Sequence, residues 1–213
     1  MKKWECTICG YIHEGENPPD ECPVCGADSN AFVELTEQVE PETPEQVTAE
    51  QKQPEETPVA TTLLEKVTAL ILQFHLHPIT VHTPNGIIPF AFILLILTPI
   101  FGIITFETAA FYCLLFVLLN MPVVLFTGYI TWQKKYKGAL TSLFKLKIGA
   151  SIAATSLLTL LVIWRLIQPE VMSVPSSGRV MFILLSFLLL AAVGIAGHLG
   201  GKLVFGANKT ADH

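Results

Sequence analysis

The sequence predicts a small cysteine-closed module joined to an all-α membrane domain of four transmembrane helices preceded by an amphipathic helix. Three observations predict it. Two CxxC pairs, Cys6-Thr7-Ile8-Cys9 and Cys22-Pro23-Val24-Cys25, stand in the first 36 residues. Behind them come four long apolar runs. The charge is also segregated. Residues 1–62 hold 14 of the 18 acidic side chains and three lysines, a net of −11, which leaves the rest of the chain at +6. With 51% hydrophobic and 15% charged residues, the 213-residue chain is too apolar for an average soluble protein. Its acidic module would be repelled by nucleic acid.

The module spans residues 1–36. Four thiolates in two knuckles close a tetrahedral site and can hold together a fold too small to have much core. Gly10 and Gly26 follow the second cysteine of each pair, where a positive φ is easily adopted. Trp4, Tyr11 and Phe32 are spaced to form a small aromatic core beside the metal. Met1-Lys2-Lys3 runs straight into Trp4-Glu5-Cys6 with no apolar segment, so the module is expected in the reducing cytosol, where paired CxxC binds metal rather than forming disulfides. Spacing alone admits iron or zinc, Cys6, Cys9, Cys22 and Cys25 being the ligands in either case. His13 reads as a surface residue, and the fifth cysteine, Cys113, as a small buried hydrophobe.

Residues 37–61 are rich in Glu, Pro, Thr, Gln and Val, with Pro41, Pro44, Pro54 and Pro58. Such a composition cannot bury a core and predicts a disordered tether reaching roughly 25–30 Å root-mean-square.

The membrane domain is expected over 62–213. Thr62-Leu63-Leu64-Glu65 has the pattern of a capping box, and Leu63, Leu64, Val67, Leu70, Ile71 and Phe74 follow with helical spacing, which predicts an amphipathic helix over 62–76 ended by Pro78. Thr83 and Pro84 suit the start of the next helix. Four spans follow, at about 85–105, 108–132, 144–167 and 179–200. Lys134, Lys135, Lys137, Lys145 and Lys147 crowd the connection between spans two and three, which by the positive-inside rule faces the cytoplasm. Both termini then lie on that side of a bacterial inner membrane. Phe106-Glu107 and residues 168–178 form the outer turns, with Glu107 solvated and Arg165 and Arg179 snorkelling at the outer interface.

His75, His77 and His82 flank the inner start of span one, and His198 lies near the inner end of span four. Imidazoles from different helices commonly hold b-type haem in a bundle. His75, His82 and His198 are the first axial-ligand candidates and His77 the next. Lys202, one turn beyond His198, suits a haem propionate. Histidines near helix ends also cap carbonyls or sit in wet interfaces, and a layer of four serves a transition ion equally well.

The run Trp4-Glu5-Cys6-Thr7-Ile8-Cys9-Gly10-Tyr11-Ile12-His13-Glu14-Gly15, then Pro19, Cys22-Pro23-Val24-Cys25-Gly26-Ala27 and Phe32, strongly resembles the short rubredoxin domain of rubrerythrins. That resemblance implies a rubredoxin-like β fold with one redox-active iron. The membrane half, through His77-Pro78-Ile79-Thr80-Val81-His82-Thr83-Pro84, Thr127-Gly128-Tyr129-Ile130-Thr131-Trp132 and Gly197-His198-Leu199-Gly200-Gly201-Lys202-Leu203-Val204, resembles the bacterial membrane family called domain of unknown function 2231. That family's pattern often has an acidic residue before the tryptophan, where Thr131 stands here.

The expectation is a membrane-anchored electron carrier rather than a stand-alone oxidoreductase. A cytoplasmic donor would feed the iron, which exchanges electrons with haem in the bundle. Quinone, a soluble redox protein or a small gas would serve as acceptor, and a homo-oligomer is compatible. The alternatives are a zinc-ribbon membrane adaptor without redox activity and a histidine-based transition-metal transporter or sensor.

Overall fold

The computed structural model describes residues 2–35 and 62–206, so the tether lies outside the described residues. The N-terminal module is a three-stranded antiparallel sheet, β1 (Lys2–Cys6), β2 (Ile12–Gly15) and β3 (Phe32–Leu35), in the order β2-β1-β3. Trp4 on the central strand faces His13 across one ladder and Glu34 across the other, and its indole N–H donates to the Gly15 carbonyl. Strands of four or five residues form a marginal sheet, so most of the chain between them serves the cysteine turns instead.

Helix α1 (Leu63–Gln73) starts at the expected capping box: Thr62 Oγ1 accepts from the Glu65 N–H and Glu65 reaches back to the Thr62 N–H. It stops earlier than expected. His75 adopts a left-handed conformation, with φ 50°, and forms a hinge into α2 (Leu76–Phe101). Pro78 does not end α1. It lies in the first turn of α2, where its missing N–H has no intrahelical partner to lose. Thr83 and Pro84 likewise start nothing, because α2 runs on through Pro84, Pro89 and Pro99. Helices in lipid tolerate such interruptions when neighbouring helices and hydroxyls satisfy the freed groups.

Helices α3 (Ile104–Lys135), α4 (Ser142–Ile167) and α5 (Ser177–Phe205) complete four segments long and apolar enough to cross a membrane. At 1.5 Å per residue, the 32 residues of α3 extend about 48 Å, well beyond a hydrocarbon core of about 30 Å. Its last turns carry Trp132, Lys134 and Lys135, side chains suited to the membrane interface. Helix α2 packs against α3 and α5, while α4 packs against α5 and α3, which closes a four-helix ring with α1 alongside α2 and α3. The seam of α3 reads Ala110, Leu114, Val117, Met121, Val124, alternating steps of four and three, and every member is buried. Phe90, Leu119, Ile152 and Phe187 point outward and are exposed, as lipid-facing side chains must be.

The outer turn differs from the expectation. Gly102, with φ +66°, and Ile103 make the reversal, so Phe106 and Glu107 belong to the first turn of α3. Glu107 is not solvated. It is 1% exposed and accepts two hydrogen bonds from the Arg165 guanidinium, one of them 3.0 Å long from Nη2, and Arg165 also lies over the Phe111 ring. An unpaired carboxylate at that depth would be costly, and the arginine fork on α4 is what removes the cost. Arg165 is therefore a clamp between α3 and α4 rather than a snorkelling side chain.

Candidate metal centre

The two cysteine turns are built alike. In each, the first cysteine N–H donates to the carbonyl five residues on (Cys6 to Tyr11, 2.8 Å; Cys22 to Ala27, 2.7 Å). In each, the glycine N–H four residues on returns to the first cysteine carbonyl (Gly10 to Cys6, 2.8 Å; Gly26 to Cys22, 2.9 Å). Gly10 and Gly26 have φ of +75° and +70°, which explains glycine at both positions. The repeated turn aims two sulfurs from each knuckle at one point.

All four sulfurs lie within 4.8 Å of one another, with Cys6–Cys25 at 3.7 Å and Cys9–Cys22 at 3.6 Å. These separations are far too long for disulfides. They match the edge of about 3.8 Å of a tetrahedron with metal–sulfur bonds of about 2.3 Å, so the residues fit a four-thiolate metal. Hydrogen bonds from Cys25 and Cys9 pull the Cys22 thiol down to about 2, and its contact with Cys22 pushes Cys9 up. The sulfurs thus compete for protons, a conflict that a cation resolves by taking all four as thiolates. Cys6 and Cys25 are fully buried, Cys22 nearly so, and Cys9 is the least buried of the four.

The module is seated on the bundle. Cys6, Cys22, Val24, Cys25 and Phe32 share one buried cluster with Tyr136, Leu143, Phe144 and Leu203, the ends of α3, α4 and α5. Thr141, the N-cap of α4, donates its hydroxyl to the Cys25 carbonyl. Ser142 Oγ donates to Glu21 Oε1 at 3.4 Å. Tyr136 stacks at a tilt on Phe144 with centroids 5.1 Å apart. Burial, and then the charge of Cys9 and Cys25, push the Tyr136 phenol up to about 12, so it stays neutral. Trp132 Nε1 donates to the Ala139 carbonyl at 2.8 Å and holds the α3–α4 loop in place beneath the module. A Cβ on Gly26 would approach Ser142 Oγ to 2.8 Å in a positive-φ backbone. Gly26→Ala is therefore expected to cost about 1–2 kcal/mol and to loosen the seat, seen as faster proteolytic release of the module from the membrane fraction.

The histidines are not gathered in the same way. His75, His82 and His198 are all exposed. The expectation that His75 points inward fails because the left-handed hinge turns it away from the helix face on which Ile71 is buried. His77 is half-buried against α3, where the missing Cβ of Gly128 leaves room for its ring and Nδ1 lies 3.4 Å from Thr127 Oγ1. Lys202 is exposed and lies beside Cys22 and Pro23 of the module. Among the described residues, the group of three or more His, Cys, Asp or Glu donors close enough to share an ion is the four cysteines. Ile88, Leu95, Leu158, Leu161 and Phe182 fill the bundle interior.

Sequence reasoning missed Tyr136, Thr141 and Phe144 as the seat. The available signal was the aromatic pair Trp132 and Tyr136 set in a basic connection.

Comparison with known proteins follows the same division. The family model described as Rubrerythrin, rubredoxin-like domain matches residues 4–33. Reverse rubrerythrin-1 of Clostridium acetobutylicum is 52% identical over 40 residues, 19% of this chain and 22% of that protein. Rubrerythrin of Nitratidesulfovibrio vulgaris is 52% identical over 33 residues, 16% of this chain and 17% of that one. The chain thus spans about a fifth of these two relatives. Rubredoxin of Megasphaera elsdenii is 43% identical over 51 residues, 16% of this chain but 98% of its own length. No solved structure matches. The family described as Predicted membrane protein (DUF2231) matches residues 73–211. The chain therefore belongs to the DUF2231 family of predicted membrane proteins and carries a rubredoxin-like domain, with a four-cysteine site suited to iron, ahead of its membrane helices.

Proposed function

We propose that this protein is a membrane-anchored electron carrier whose iron, held by Cys6, Cys9, Cys22 and Cys25, exchanges single electrons at the inner face of a bacterial cytoplasmic membrane. The observation that carries the reading is the seating of the four-sulfur cluster on the ends of α3, α4 and α5, with Cys9 the least buried of the four and Cys22 beside the bundle. Bound iron would supply the one-electron couple. The chain's own part is to hold four thiolates, exclude water from three of them, and fix their distance from the bilayer. The cytoplasmic side is supported by Lys134, Lys135, Lys137, Lys145 and Lys147, all near the end where the module sits. A soluble donor reaches the Cys9 side, and quinone, a soluble redox protein or a small gas would accept.

A b-type haem is the finer proposal, supported by four histidines toward one end of the bundle. His75, His82 and His198 are exposed, so in this reading the haem would be held at the surface of the helices.

The test is a visible spectrum of the detergent-purified protein, oxidised and then dithionite-reduced, with metal analysis. The expected result is about one iron per chain and a ferric–thiolate envelope that bleaches on reduction. A colourless protein with one tetrahedral zinc would overturn the redox reading in favour of an adaptor. Sharp bands appearing on reduction, and lost in His75→Ala, His82→Ala or His198→Ala, would establish the haem. A transition ion bound without porphyrin and lost in the same variants would select the transporter or sensor.

A further inference from the structure

Seating the module on the bundle leaves a cleft of about 370 Å³ between them. Glu21, Cys22 and Pro23 wall it on the module side, and Leu146, Leu199 and Lys202 on the bundle side. Its size lies within the range of about 300–1,000 Å³ typical of small-molecule sites. We infer that this cleft binds the headgroup of a lipid-soluble quinone. The inference rests on the proposed redox role of the four-cysteine centre and names a partner for it.

Four features favour that occupant. The wall includes Cys22, so a molecule in the cleft touches the residue that carries one of the four sulfurs. The cleft lies by the start of α4 and toward the end of α5, the end of the bundle that the proposed topology puts at the inner membrane face, within reach of a carrier dissolved in the lipid. Pro23, Leu146 and Leu199 offer apolar walls for a ring, while the Lys202 ammonium is a donor for a carbonyl oxygen at its edge. Glu21 stands in the same wall, hydrogen-bonded to Ser142, and its negative charge disfavours the phosphate of an anionic lipid. A neutral ring with carbonyl acceptors satisfies all four. The absence of a side chain at Gly26 lets the first turn of α4 approach the second cysteine turn beside the cleft. The other large depression, lined by Gly86, Ile87, Phe90, Tyr112, Cys113 and Phe116, is almost wholly apolar and has no comparable set of donors.

The experiment titrates the full-length, detergent-purified protein with ubiquinone-1, once loaded with iron and once with zinc, and measures bound quinone by equilibrium dialysis. One saturable site is expected in both forms. Leu146→Trp, an outward-facing position that the larger ring fills from the side, should weaken it by at least about tenfold. Lys202→Gln should weaken it by about tenfold through loss of a charge-assisted hydrogen bond. Metal content and far-ultraviolet circular dichroism should be unchanged in both variants. Binding that never saturates, or saturable binding that neither substitution alters, would overturn the site. Saturable, substitution-sensitive binding by a protein that takes only zinc in the cell would keep the site and overturn the redox reading, so the two failures are told apart.

Discussion

Cys6→Ser is expected to abolish stoichiometric metal binding and to unfold residues 2–35 while leaving the membrane helices intact. The module has three strands of four or five residues and a core of little more than Trp4, Tyr11 and Phe32 around the sulfurs. A sheet that small does not hold itself together, and metal-coupled folding of comparable modules is worth about 10–16 kcal/mol. A serine hydroxyl at a fully buried ligand position is a poor donor and leaves an unmet polar group. Metal analysis should fall from about one per chain to near zero, and protease should digest the module as a disordered segment. Because Cys25 also carries the carbonyl that accepts from Thr141, the seat on α4 should be lost with the metal. Cys113→Ser, in a helix remote from the sulfurs, should change neither metal content nor protection. Full metal retention in Cys6→Ser would refute the assignment of this ligand.

Glu107→Ala should be the most destabilising single change in the bundle. It leaves the Arg165 guanidinium, itself largely buried, without its carboxylate, and breaking a buried pair in this way costs about 3–5 kcal/mol. Thermal unfolding in detergent, followed by circular dichroism, should show a clear drop in midpoint. The double variant Glu107→Leu with Arg165→Met removes both charges together and should recover most of the loss, because the cost lies in the orphaned charge rather than in the missing attraction. Arg179→Met, at a position with no carboxylate partner among the described residues, should be nearly silent. Equal stability of the single Glu107 variant and the parent would show that the pair is hydrated rather than buried.

Both predictions concern groups read differently from sequence. The cysteine knuckles were legible because metal-ligand spacing and the glycine after each pair are local features, and the geometry then closes on one tetrahedron. The helix spans were legible because hydropathy over about 20 residues reports a membrane whatever the tertiary contacts. Boundaries were not. Proline at 78 and 84 looked like punctuation, yet a helix accepts proline in its first turn and, in lipid, within its length when neighbours satisfy the freed carbonyls. Where the histidines face was not legible for a related reason. Closeness to a helix end sets a residue's depth in the membrane but not its azimuth, and a left-handed hinge at His75 changes which way it faces.

By itself, then, the sequence determined the four-thiolate centre, the four spans, the capping box of α1 and the accumulation of lysine near one end of the bundle. Each depends on donor spacing, hydropathy or charge along a short stretch of chain. Only the tertiary structure decided that Glu107 would be buried against Arg165, 58 residues away, that Thr141 would meet the carbonyl of Cys25 across 116 residues, and that a cleft would open beside Cys22. The physical reason is that burial and pairing are properties of neighbours brought together by packing. A carboxylate in a turn and a carboxylate under an arginine are the same letter until the helices assemble.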